Sequence, residues 1–189
     1  MNDRDDRNAG RRDWLPGDPD PAERTRRMIR VDHAGEYGAR RIYEGQLAVL
    51  RGSEAEAPIR HMAEQEARHL EAFERLMLER RVRPSLLQPL WHVAGYALGA
   101  ATALLGPRAA MACTVAVEET IEAHYAGQAR GLGADEAALK TTILTFRAEE
   151  VEHRDLALAH GAREAPGYPA LTAAIKAGSR LAIWLAERF

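Results

Sequence analysis

Cysteine, net charge, strand-like alternation and glycine-rich nucleotide fingerprints are all scarce or missing in this 189-residue chain, and each scarcity removes a class of protein. The single cysteine, Cys113, leaves no disulfide possible within the chain, which argues against a disulfide-stapled scaffold and suits a reducing compartment. Cys113 itself is expected as a small core residue. A formal net charge of −2 gives no electrostatic footprint for nucleic acid. No apolar segment follows Met1, so no secretory signal is expected. Without strands or a glycine fingerprint, a Rossmann-type dinucleotide site is excluded. What is present is 46% hydrophobic residues in a chain long enough to bury a helical core unaided.

Punctuation divides the chain into helices. Residues 1–20, rich in Arg, Asp, Gly and Pro around Trp14 and Leu15, are expected to form a flexible arm. Asp20, Pro21 and Glu23 read as N-cap, first helical residue and capping partner of a helix over about 21–51, which Gly52 stops. Ser53-Glu54-Ala55-Glu56 reads as a capping box opening a second helix that runs to about Arg81. A third helix over about 85–105 ends at Gly106-Pro107, a fourth reaches Arg130, and two more cover about 134–161 and 168–188. The expectation is an all-α single domain, 21–189, built from two repeats of about 21–106 and 107–189.

Within those repeats the chain carries one chemical pattern twice. Glu36 is followed by Glu66 and His69 in a Glu-x-x-His, and Glu118 by Glu150 and His153 in another. The copies are offset by 82 residues at the first glutamate (118−36) and by 84 at the histidine (153−69). Residues three apart share a helix face, so each Glu-x-x-His can reach toward one site, with one further carboxylate from each remaining helix. A four-helix bundle uses this ligand set to hold two metal ions. Four carboxylates and two imidazoles suit iron or manganese, and the four negative charges would balance two divalent ions.

A lone Glu-x-x-His in a Glu-rich chain is ordinarily a solvated helix face. Here the candidates lie inside apolar stripes: Met62, Glu66, His69, Phe73 and Leu76 on the second helix, and Ile143, Phe146, Glu150, His153 and Ala157 on the fifth. Met111, Val115, Glu118, Ile121 and Tyr125 form another stripe, and Ile29, Glu36, Tyr43 and Leu50 a fourth. Unpaired carboxylates on core-facing stripes are costly, and metal is the simplest compensation. Weaker expectations attach to neighbours. Glu122 is a candidate supporting residue one turn beyond Glu118, His124 and Tyr125 are candidate proton or hydrogen-bond donors, and Asp32 and His33 are candidates for orienting a ligand imidazole. His61, His92 and His160 are read as structural or solvated.

Each repeat also ends in a less charged helix, Leu86–Leu105 and Tyr168–Phe189, with Ala94-Gly95 and Ala177-Gly178 at matching places. The first is about as long as a membrane span, but Gln88, Pro89 and His92 and its many small residues fit a helix lying on a membrane surface better. Trp91 and Tyr96 suit such an interface, the other reading being a buried or oligomer-facing helix.

Several longer runs carry a family resemblance. Val31-Asp-His-Ala-Gly-Glu-Tyr-Gly-Ala39, Arg41-Ile-Tyr43, Ala112-Cys-Thr-Val-Ala-Val-Glu-Glu119, Phe146-Arg-Ala-Glu-Glu-Val-Glu-His153 and the closing Ala177–Phe189 resemble the demethoxyubiquinone hydroxylases. The likeness runs from about residue 24 to the C-terminus. It implies a ferritin-like four-helix bundle with two accessory helices on a membrane surface. It implies two iron ions held by Glu36, Glu66, His69, Glu118, Glu150 and His153, with Glu66 and Glu150 bridging. The implied activity is O2-dependent hydroxylation of a polyprenylated demethoxyubiquinol ring, before the last O-methylation of ubiquinone synthesis. One oxygen atom enters the ring and the other leaves as water, with electrons from NADH or from the quinol itself. The implied setting is peripheral, on the cytoplasmic face of the inner membrane, with a second copy of the chain or other ubiquinone-biosynthesis proteins as partners. A ferritin-type ferroxidase or iron-binding bundle would use similar ligands, and a metal-free lipid-binding bundle is the remaining rival.

Overall fold

The computed structural model describes residues 20–189, and six α-helices account for most of them. These are α1 (Pro21–Leu50), α2 (Glu56–Arg80), α3 (Gln88–Leu104), α4 (Pro107–Gly131), α5 (Ala137–Ala159) and α6 (Tyr168–Ala186). No strand occurs among the described residues. The expected arm lies outside them except for Asp20.

Local chemistry sets the helix ends. The Asp20 carboxylate accepts from the Glu23 amide at 2.6 Å, and Pro21 opens α1 where its missing N–H costs nothing. Gly52, at φ +77°, supplies the left-handed turn that releases the chain into α2. The second start departs from the expected capping box. Glu56 reaches back to the Gly52 amide at 2.6 Å, but the Ser53 hydroxyl donates to the Leu50 carbonyl at 2.7 Å and α2 begins without a side-chain cap. Ser53 thus closes α1 rather than opening α2. The expected 134–161 helix divides into a short 3-10 turn at Ala134–Glu136 and α5 proper.

Helices α1, α2, α4 and α5 form a four-helix bundle: α1 pairs with α2, α4 with α5, and the two hairpins meet through α1 with α4 and α2 with α5. The ferritin-like class expected from the sequence fits this arrangement. Ile29, Phe73, Cys113, Ala116, Tyr125 and Ile143 fill one end of its core, and Ile59, Met62, Met111, Val115 and Ala157 the other. Cys113 is fully buried, and burial pushes its thiol up to about 12. The two outer helices complete the domain, α3 lying along α1 and α6 along α4.

Their packing differs. Gly95 and Gly99 bring the α3 backbone against α1, where a methyl at Gly99 would collide with the backbone of Ile42 and one at Gly95 would stand 2.8 Å from the Gly38 carbonyl. Gly178, the counterpart of Gly95 on α6, has nothing within 4 Å of where a side chain would begin. α6 therefore stands off, and a cavity opens between α1, α3, α4 and α6.

Candidate metal centre

All six residues singled out by spacing come together at the centre of the bundle. Glu36 is contributed by α1, Glu66 and His69 by α2, Glu118 by α4, and Glu150 and His153 by α5. None exceeds 1% exposure. They form two overlapping quartets whose donor atoms lie within 4.8 Å of one another: Glu36, Glu66, His69 and Glu150, and Glu66, Glu118, Glu150 and His153.

Glu66 and Glu150 belong to both quartets, and each turns one oxygen toward each histidine. Glu66 places Oε2 4.0 Å from His69 Nδ1 and Oε1 3.2 Å from His153 Nδ1. Glu150 places Oε1 3.2 Å from His69 Nδ1 and Oε2 3.3 Å from His153 Nδ1. A carboxylate divided between two positions is the arrangement a bridging ligand needs. Both oxygens of Glu66 and of Glu150, one each of Glu36 and Glu118, and Nδ1 of both histidines are buried without a hydrogen-bond partner. Among the described residues, no lysine or arginine pairs with the four carboxylates. Buried acceptors left open in this number fit a pair of hard cations, because without them the desolvation cost has no compensation.

The titration pattern of the metal-free cluster shows that cost. Burial, then repulsion from neighbouring carboxylates led by Glu150, pushes Glu66 and Glu118 well above the ordinary carboxylate range. Glu150 is also raised by burial, against the opposing effect of His69. Glu36 is lowered: burial works the other way, but the His69 ring, with Nδ1 3.4 Å away, outweighs it. Burial likewise opposes charge on His69, yet the Glu150 and Glu36 carboxylates facing its Nδ1 lift it to about 11. His153 is lowered by burial.

A ring of supporting side chains crosses between the hairpins. The Tyr43 hydroxyl on α1 donates to Glu118 on α4 at 2.5 Å, and Tyr125 on α4 donates to Glu36 on α1. His69 Nε2 on α2 meets Glu149 on α5 at 2.9 Å, while His153 Nε2 on α5 meets Gln65 on α2 at 3.1 Å. The sequence marked Tyr43 as a stripe residue and, with Glu149, as part of the family-like runs, but gave no role to either of them or to Gln65. The signal for Gln65 and Glu149 was the repeat itself, since 149−65 gives the same offset of 84 as the histidines.

Other expectations are corrected. Glu122 does not support the cluster, being drawn away by the Arg147 guanidinium, whose Nε donates to it at 2.7 Å. Asp32 accepts from Gln128 at 2.6 Å and lies 3.4 Å from His124, so it orients neither cluster histidine. His33 stacks on Tyr37. His124 belongs with Asp32, and Tyr125 alone of that pair touches the cluster. His92, read as structural, accepts or donates at 2.7 Å with the Tyr37 hydroxyl and ties α3 to α1.

The cavity beside α6 has a volume of about 350 Å³ and an almost wholly apolar lining that includes Val31, Ala39, Ile42, Trp91, Val117 and Ile121. Ala39 and Ile121 in that lining stand three residues, about one helical turn, beyond Glu36 and Glu118, while none of the six cluster residues itself lines the cavity.

Two carboxylate–histidine quartets sharing two glutamates inside a four-helix bundle define the class of helical proteins whose cores are compatible with a pair of metal ions. The chain belongs to the family of the ubiquinone biosynthesis protein COQ7, which residues 23–186 match. It is 61% identical to the 3-demethoxyubiquinol 3-hydroxylase of Rhodospirillum rubrum over 177 residues, 93% of this chain and 84% of that protein. It is 54% identical to the human mitochondrial NADPH-dependent 3-demethoxyubiquinone 3-hydroxylase, covering 86% of this chain and 76% of the relative. A third relative, the mitochondrial 5-demethoxyubiquinone hydroxylase of Saccharomyces cerevisiae, is 46% identical, with 86% and 77% covered.

Proposed function

We infer that this protein is a hydroxylase of ubiquinone biosynthesis, adding a hydroxyl to the ring of a polyprenylated demethoxyubiquinol with molecular oxygen. One observation carries the reading: a buried carboxylate–histidine cluster able to hold two metal ions, one helical turn from an apolar cavity, in a chain 61% identical to a 3-demethoxyubiquinol 3-hydroxylase. Glu36, Glu66, His69 and Glu150 would hold one iron and Glu66, Glu118, Glu150 and His153 the other. When bound, two ferrous ions supply electrons for reducing dioxygen, so that one atom is inserted into the ring and the other leaves as water.

The protein's own side chains provide position and dryness. The ring sits between Ala39 and Ile121, against the ends of Glu36 and Glu118 that Tyr43 and Tyr125 fix. Burial holds both phenols well above 10, so they remain donors at any working pH. The apolar wall keeps bulk water from the reacting carbon. Reduced nicotinamide, the cofactor class named for the human relative, is the proposed electron source, with the quinol itself as the other.

The tail leaves between α3 and α6. Leu90, Val93, Leu181 and Trp184 there are exposed, between 48% and 65% of each. No helix among the described residues is long and apolar enough to cross a membrane. We place this face on the cytoplasmic surface of the inner membrane, where exposed apolar side chains meet acyl chains. The two repeats, 21–106 and 107–189, then form one domain lying on the bilayer that holds its substrate. The ferroxidase alternative gives no use to the apolar cavity between α1, α3, α4 and α6. The test is single turnover of the iron-loaded, detergent-solubilised protein with a demethoxyubiquinol, reductant and 18O2. Product carrying one labelled oxygen is expected, and water or peroxide as the sole product would overturn the assignment.

A further inference from the structure

The cluster repeats itself almost without exception. Each half supplies two glutamates, one histidine and one tyrosine, and in each half the tyrosine donates to the other half's first glutamate. A difference in hydrogen-bonding type lies behind the histidines. Nε2 of His69 meets the Glu149 carboxylate at 2.9 Å, whereas Nε2 of His153 meets the Gln65 amide oxygen at 3.1 Å. Gln65 and Glu149 each precede a shared glutamate, Glu66 and Glu150, so they are counterparts.

These four residues form one chain of hydrogen bonds. A carboxylate only accepts, so the Gln65 amide turns its NH2 toward Glu149, at 3.4 Å, and its oxygen toward His153. Both imidazoles are thereby held with Nε2–H outward and an unpartnered Nδ1 facing the cluster. A carboxylate accepting the outer N–H makes an imidazole a stronger donor to metal than a neutral amide does. Arg68, 60% exposed, stands farther from the same carboxylate at 3.7 Å, where solvent screens the pair.

We propose that Glu149 is a positioning residue that makes the two metal positions unequal, the one at Glu36, Glu66, His69 and Glu150 binding more tightly than its counterpart. The inference rests on the metal centre assigned above. Its test is an anaerobic titration of the full chain with cobalt(II), followed by visible absorption, in the native protein, Glu149→Gln and the exchanged pair Glu149→Gln with Gln65→Glu. The native protein is expected to fill in two separated steps. Glu149→Gln weakens the tighter step by on the order of tenfold to a hundredfold and brings the two together. The exchange, which returns one carboxylate to the network on the other histidine, separates them again, an outcome that general damage to packing does not produce. Equal steps in the native protein, an unchanged separation in Glu149→Gln, or an exchanged pair that stays merged would overturn the proposal. A native protein that takes up no cobalt would instead overturn the metal centre itself.

Discussion

Tyr43 on α1 holds Glu118 on α4 across the bundle at 2.5 Å, and Tyr125 returns the contact to Glu36. Each half of the molecule therefore fixes a carboxylate belonging to the other. Neither hairpin completes its site alone, since the shared glutamates also come one from α2 and one from α5.

Removing one phenol tests that reciprocity. Tyr43→Phe leaves Glu118 without its hydroxyl donor in a site that water does not reach, and a buried hydrogen bond to a charged group contributes roughly 1.5–3 kcal/mol. The iron-loaded variant should melt below the native protein by a corresponding margin, and Tyr125→Phe by a similar one. Native melting in both would mean that the phenols are incidental.

Glu66→Gln separates the cost of the cluster from its use. In the metal-free protein it removes a buried carboxylate whose charge neighbouring carboxylates oppose, so stability should hold or rise. In the native protein, metal at about a thousand times its Kd should add about 4 kcal/mol. Calorimetry with ferrous ion and with chelator should show most of that increment gone in Glu66→Gln.

Metal should oppose the pH dependence of the cluster. Glu66 and Glu118 hold protons well above the ordinary 4.5, and His69, raised from 6.5 to about 11, does so above 6.5. Over those ranges the folded metal-free protein binds more protons than the unfolded chain, so it loses stability as pH rises from about 4.5 toward 11. Glu36 and His153, both lowered, contribute in the opposite sense, with stability present above 4.5 and 6.5 respectively and lost as pH falls through their folded values. They are outnumbered, since Glu150 is raised as well. Metal displaces those protons, so the stabilisation that metal adds should grow over the same rise in pH. Denaturant titrations at several pH values, with and without metal, check both slopes.

Two glycines distinguish packing from substrate space. Gly99→Ala forces α3 off the Ile42 backbone, and overpacking of this kind costs about 1–3 kcal/mol. Gly38→Ala meets nothing within 4 Å and should stabilise α1 by about 0.5–1 kcal/mol. Gly38 also lines the cavity, so the same variant should raise KM for a long-tailed quinol while kcat is kept. An unaltered KM would place the substrate elsewhere.

Much of this architecture was legible because it depends on spacing along single helices. Near-equal offsets exposed the repeat, and Glu66 and His69 lay in a stripe with Met62 and Phe73, all four of which are fully buried. Asp20, Gly52 and Gly106-Pro107 marked helix ends through their own backbone chemistry. What escaped depends on how helices face one another. Gln65 and Glu149 sit beside the stripe on their own helices and act on the histidine of the opposite one. Glu122 has the right period for support, but Arg147 on the neighbouring helix claims it. Nor does matching Ala-Gly reveal that Gly95 is packed tight while Gly178 opens a cavity.

Anaerobic ferrous loading followed by metal analysis of the full chain tests the central claim most directly. Two irons per chain in the native protein, with loss of both positions when Glu66 and Glu150 are replaced together by glutamine, is the predicted result. No bound iron, or two irons retained in that double variant, would contradict a centre built on the shared glutamates.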